Sequence, residues 1–188
     1  MRTVPIAVLD ACVLVPMPLA DTLLRQAESP SLFEARWSEE ILLEVRRAME
    51  RKLNVAPEKV LRREQAMRLH FPHAIVRGVE SVTPWMRNHP KDRHVLACAV
   101  ACHADYLVTF NRKDFPTRAL DGLQTSVIAP SAFLDLIWRR EPREFRSRLR
   151  TQSAAVGLSA EALVDRLAFL LGEPDAFGDI RAHLKRGD

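Results

Sequence analysis

Residues 91–116 read KDRHVLACAVACHADYLVTFNRKDFP. Asp92 stands where an acidic residue suits a helix N-terminus, and RHVLACAVACHA continues in small, mostly apolar residues. Tyr106–Thr109 is a compact run of strand-forming types. Asn111 and Asp114 follow it in a short polar stretch that ends at Phe115-Pro116, as turn residues do. A helix, a buried strand and then a polar loop is the repeating unit of an α/β protein.

The same alternation extends to both sides. Upstream, PIAVLD (5–10) reads as a buried strand ending at Asp10, and Asp21–Ala27 as a helix. Leu32–Trp37 suits a short strand. Ser38 suits an N-cap, with Glu39 and Glu40 in the first turn and a stripe of Ile41, Leu42, Val45, Met49 and Leu53. A further helix is predicted from Pro57 to about Leu69, and a strand around Ala74–Val79 within an otherwise looped 70–91. Downstream, Thr125–Ala129 reads as a strand and Pro130-Ser131 opens the helix AFLDLIWRR. The pattern predicts a central parallel sheet between layers of helices. From Pro142 onward no strand is predicted. Pro142, Ser159 and Pro174 mark three helix starts, so the chain divides into a core domain at 1–141 and a helical extension at 142–188.

The 188 residues carry a net charge of +4 and are 47% hydrophobic, within the range of a folded globular chain. No apolar run reaches the length of a membrane span, and the first ten residues lack the long apolar stretch of a secretory signal. A cytoplasmic location is expected. The three cysteines, Cys12, Cys98 and Cys102, do not suggest a disulfide framework. His94, Cys98 and Cys102 share a helix face at four-residue steps, either as a metal site or, with alanines between them, as buried small residues. The basic segment RREPREFRSRLR (139–150) holds six Arg and two Glu. On a helix, Arg143, Arg146 and Arg150 fall on one face, either as a row for an RNA backbone or as a solvated face paired with local Glu.

Ligands of open parallel sheets bind beyond the carboxyl ends of the strands. Asp10 sits at one such end, Thr109, Asn111 and Asp114 at another, and Asp92 shortly before the second. Glu44 flanks the apolar stripe of its helix. Each has an ordinary structural explanation as a cap, a turn residue or half of an ion pair. As a set they suit a hard cation such as Mg²⁺ or Mn²⁺, which prefers oxygen ligands. Two carboxylates about 4 Å apart repel by roughly 4 kcal/mol at an effective dielectric near 20, and a cation relieves this. No cysteine or serine nucleophile with a paired histidine is apparent, and there is no glycine-rich phosphate loop. The chemistry this set fits is metal-assisted hydrolysis of a phosphodiester.

VLDACVLVP (8–16), SEEILLEV (38–45), the 91–116 segment and TSVIAPSAFL (125–134) occur in the order that resembles the PIN-domain family. The resemblance implies a three-layer α/β/α fold and a Mg²⁺- or Mn²⁺-dependent endoribonuclease. It implies catalytic roles for Asp10, Glu44, Asp92 and Asp114, metal contacts from Asp10, Asp92, Asn111 and Asp114, and substrate contact from Thr109. The toxin-like VapC branch is the nearest in appearance, which implies an RNA substrate, a cognate antitoxin protein and a homodimer. Cys12 stands where family members often have Ser, Thr or Asn. His89 and Lys91 stand where extra acids are common, and Asn111 where Asp is an alternative. A phosphotransferase of the haloacid-dehalogenase type would need an acid at position 12. The other reading is a catalytically inactive PIN-like module that binds RNA or protein.

Overall fold

The computed structural model describes residues 4–186; residues 1–3 and 187–188, the outermost parts of the two expected domains, lie outside the described residues. Four strands form one sheet: β1 (Ile6–Leu9), β2 (Glu34–Arg36), β3 (Tyr106–Val108) and β4 (Ser126–Ile128). Their order is β2-β1-β3-β4 and every pairing is parallel. β1 is buried along its whole length, as expected of an uninterrupted apolar strand covered on both faces.

α1 (Ala11–Leu14) and α2 (Met17–Ala27) join β1 to β2. α3 (Glu39–Lys52), α4 (Pro57–His70), α5 (Val79–Val82) and α6 (Arg93–Ala101) lie between β2 and β3. α7 (Thr117–Leu120) precedes β4, and α8 (Pro130–Arg140), α9 (Pro142–Ala155), α10 (Ala160–Leu171) and α11 (Gly178–Arg186) follow it. α3 packs with α4 and α6 on one side of the sheet. α2, α8, α9 and α10 pack together on the other, giving the three layers. The helices after Pro142 share the sheet's hydrophobic core through Phe145, Leu149, Leu163 and Leu167. No helix among the described residues is long and apolar enough to cross a membrane.

Local chemistry sets the elements that carry the site. Ser38 caps α3 by accepting from the Ile41 N–H at 3.2 Å, with Glu39 and Glu40 in the first turn and Arg51 and Lys52 in the last. α1 is a single turn, so it needs outside support. Arg63 on α4 gives it, donating to the carbonyls of Leu14 and Val15 at the turn's end. Arg148 on α9 does the same for α2, donating to the carbonyls of Arg25, Glu28 and Pro30.

Three expectations shift. α2 begins at Met17, four residues before Asp21, because Pro18 is tolerated in a helix's first turn. The strand expected at Ala74–Val79 is reduced to one parallel bridge, Ile75 to Trp37. Gly78, at φ 75°, turns the chain straight into α5 and leaves no length for a ladder. The helix expected at Pro174 starts at Gly178, after Phe177 takes a left-handed φ of 67° with its side chain buried.

Candidate active site

The carboxyl ends of β1, β3 and β4 are in register, with Leu9 opposite Val108 and Val108 opposite Ile128. The ladder continues one residue beyond: Asp10 N donates to Val108 O and Thr109 N to Ile128 O, both at 3.1 Å. Asp10 and Thr109 are therefore neighbours at the rim. The Thr109 hydroxyl donates to Asp10 Oδ2 at 2.6 Å and accepts from the Asn111 N–H at 3.0 Å. Thr109 is fully buried, so it positions Asp10 and is closed to the substrate contact expected of it.

Cys12 completes this holding network. Its thiol lies 3.1 Å from Asp10 Oδ2 and 3.4 Å from Thr109 Oγ1, and it accepts from the Phe110 N–H at 3.3 Å. Burial, with the Asp10 charge adding to it, pushes the thiol's pKa up to about 12. It is therefore a neutral S–H donor to the carboxylate.

Asp92 occupies the N-cap position of α6 but makes no capping hydrogen bond. Asp114 ends a 3-10 turn (Arg112–Asp114), and Asn111 precedes that turn, also without a side-chain cap. The ordinary explanation by capping thus fails for these residues. Asp92 and Asp114 are buried; Asp92 Oδ2 has no hydrogen-bond donor, and Asp114 Oδ2 is approached by the Lys91 ammonium. With His89 they form a group whose ligand atoms all lie within 4.8 Å of one another. Burial first, then the charges of Asp10 and Asp114 against the relief from Lys91, pushes Asp92 up to about 6. Burial also works against ionised Asp114, but Lys91 outweighs it and holds that carboxyl below its ordinary value.

Lys91 Nζ stands 3.1 Å from Asp114 Oδ2 and 3.8 Å from Asp92 Oδ2. His89 and Lys91, which the sequence presents as departures from an acidic pattern, are part of the site. The signal was Pro90: it starts the 3-10 turn Pro90–Asp92, and His89 caps that turn by accepting from the Lys91 N–H. The turn folds both side chains toward Asp114.

Glu44 projects from α3 with its side chain 38% exposed. Its partner is His94, whose Nε2 lies 3.3 Å away. Burial opposes a charge on His94, but Glu44 outweighs it and holds the imidazole above its ordinary pKa. His94 therefore faces the acids and not the cysteines. Cys98 is buried among the alanines of α6, so the small-residue explanation of that face is the one realised. Asn111 is half-buried and lines a cleft beside the cluster.

The face of α9 differs from expectation. Phe145, Leu149 and Gln152 turn inward and Arg146 goes with them, only 8% exposed, so Arg143, Arg146 and Arg150 do not form a continuous exposed row. The start of α9 also lies beside Val4 and Pro30, near the amino ends of the strands, away from Asp10.

A family model described as a PIN domain matches residues 7–113, more than half of the chain, and includes Asp10, Glu44, Asp92 and Asn111. "Putative ribonuclease VapC50" of Mycobacterium tuberculosis is 46% identical over 57 residues, which are 30% of this chain and 34% of that protein. The chain thus spans about a third of the length of the curated relative it matches. No solved structure matches it.

Proposed function

The chain belongs to the PIN-domain family, and from that premise we propose that it is a divalent-metal-dependent endoribonuclease, the toxin of a toxin–antitoxin pair. One observation carries the reading: two buried carboxylates, Asp92 and Asp114, crowd together beside His89 with ligand atoms within 4.8 Å of one another, and Asp92 Oδ2 has no hydrogen-bond donor. Such atoms cost free energy unless a cation completes them.

The donor set fits a hard ion. Asp92 and Asp114 would hold Mg²⁺ or Mn²⁺, with Asp10 and Asn111 beside them, and the imidazole of His89 favours Mn²⁺ over Mg²⁺. When bound, such an ion lowers the pKa of a water and offsets charge growing on a phosphate. The protein's own groups do the rest. Thr109 and Cys12 fix the Asp10 carboxylate. Glu44, half exposed and steadied by His94, takes a proton from the attacking water. The water oxygen bonds to phosphorus, one ester P–O bond breaks, and the leaving oxygen is protonated from solvent. Lys91 supplies a positive charge at the rim for the phosphate.

RNA is the proposed substrate and a small antitoxin protein the proposed partner. This rests on the VapC-named relative; a homodimer is proposed from the family resemblance alone. Residues 1–141 are assigned to the nuclease and 142–188 to a helical extension packed on α2 and α8. Arg143 and Arg150, both exposed, remain assigned to distant RNA contact.

The test is cleavage of single-stranded RNA with Mn²⁺ or Mg²⁺, with EDTA, and by Asp92→Asn. Cleavage that needs metal and Asp92 is expected. Cleavage that persists in EDTA, or in Asp92→Asn, refutes the reading. Lys91 motivates a second reading, since its ammonium already neutralises the acids as it would in a non-catalytic binding module. Metal-independent RNA binding with no turnover would favour it.

A further inference from the structure

Beside the carboxylates runs a cleft of about 840 Å³ at the carboxyl ends of β3 and β4. Phe110, Arg112, Lys113, Pro116, Leu120 and Val127 are among its lining residues, and no acidic side chain is. Phe110 is 41% exposed, unusual for a phenylalanine held by its own backbone N–H to Cys12 in the site. Arg112 and Lys113 are exposed, and neither enters an ion pair among the described residues. An exposed ring flanked by two unneutralised cations matches the two faces of a nucleotide, a flat base and an anionic phosphate.

Resting on the ribonuclease reading above, we propose that this cleft is a nucleotide subsite for single-stranded RNA, in which a base stacks on Phe110 and the adjoining phosphate meets Arg112 and Lys113. The volume lies in the range of about 300–1,000 Å³ typical of small-ligand sites and has room for a nucleotide. The connection to the reacting centre is covalent and short. Phe110 follows Thr109, which holds Asp10, while Arg112 and Lys113 share their 3-10 turn with Asp114. A strand anchored in the cleft therefore delivers a neighbouring phosphodiester to the carboxylates. Stacking tolerates any base, so the subsite sets register along the strand more than sequence.

The experiment uses the full chain and a single-stranded oligoribonucleotide carrying 2-aminopurine, whose fluorescence falls on stacking. In the Asp92→Asn background, Phe110→Ala should weaken binding about tenfold and abolish the quench, while Phe110→Trp restores both. Phe110→Leu, which keeps an apolar side chain, should behave as Phe110→Ala. Arg112→Gln and Lys113→Gln should each flatten the salt dependence of binding by about 0.7 in log–log slope. In the otherwise unaltered enzyme, Phe110→Ala should raise KM for RNA more than it lowers kcat. If the parent protein neither binds nor cleaves RNA, the ribonuclease reading and this subsite fall together. If the parent cleaves RNA and all of these variants match it in affinity, quench, slope and KM, the subsite alone is refuted and the cleft is left to a protein ligand.

Discussion

Replacing Asp92 by Asn should stabilise the metal-free protein while removing its activity. Asp92 has a folded-state pKa of about 6 against an ordinary value of 3.8. Below pH 3.8 the group is protonated in both folded and unfolded chains, and the native preference for the proton is fully expressed. As pH rises to 6 the unfolded chain releases the proton first, so this contribution to stability is lost. Above that, the folded state carries the full cost of an ionised carboxylate near Asp10 and Asp114. About two units correspond to roughly 3 kcal/mol; solvent screening at the open rim brings the expected figure to about 2 kcal/mol. For a chain of this size that is a rise in Tm of about 4–8 °C. The assay is thermal unfolding in EDTA. Asp92→Asn should melt above the unaltered protein at pH 8, and the gap should close by pH 4. Excess Mn²⁺ should reverse the order, since binding at a hundredfold excess over Kd stabilises by about 2.7 kcal/mol and Asp92→Asn loses a ligand. An Asn variant that melts at or below the parent in EDTA at pH 8 refutes the idea of mutually repelling carboxylates.

Thr109→Val deletes a 2.6 Å bond to Asp10 and leaves the Asn111 N–H without its acceptor; urea unfolding should show a loss of about 1–3 kcal/mol, and RNA cleavage should fall in kcat. His94→Ala releases Glu44, and kcat for RNA should drop at least tenfold, while His94→Gln, which can still donate, recovers part of it; equal rates for both variants and the parent would remove His94 from the mechanism. The raised pKa keeps the Cys12 thiol protonated at neutral pH. Iodoacetamide at pH 8, read by peptide mass spectrometry, should therefore label Cys12 about a hundredfold more slowly than free cysteine. Cys12→Ser should keep RNA cleavage, because a hydroxyl can make the same bond to Asp10.

Sequence by itself determined the layers and the rim. Apolar runs such as IAVL and YLV, each ended by a polar residue, suit strands covered on both faces, and helices with caps such as Ser38 separate them. Strand ends then place Asp10, Asn111 and Asp114 on one edge by topology alone. Local pattern also placed Asp92 at the start of a helix. What it could not do was tell a cap from a ligand, because both are Asp before a helix; the missing cap bond appears only once the backbone is folded. His94 on one helix and Glu44 on another are 50 residues apart in sequence, and only packing of α6 on α3 makes them partners. Cys12 reads as a weak polar residue until β3 lies beside β1 and seals Thr109 and Asp10 around it. Arg143, Arg146 and Arg150 read as one row on α9 until α2 packs against that helix and Arg146 turns inward, leaving the other two exposed. Periodicity and capping act over a few neighbours and are written along the chain. Burial, pairing and pKa depend on which distant elements exclude water from a side chain, and that is fixed only by the tertiary structure.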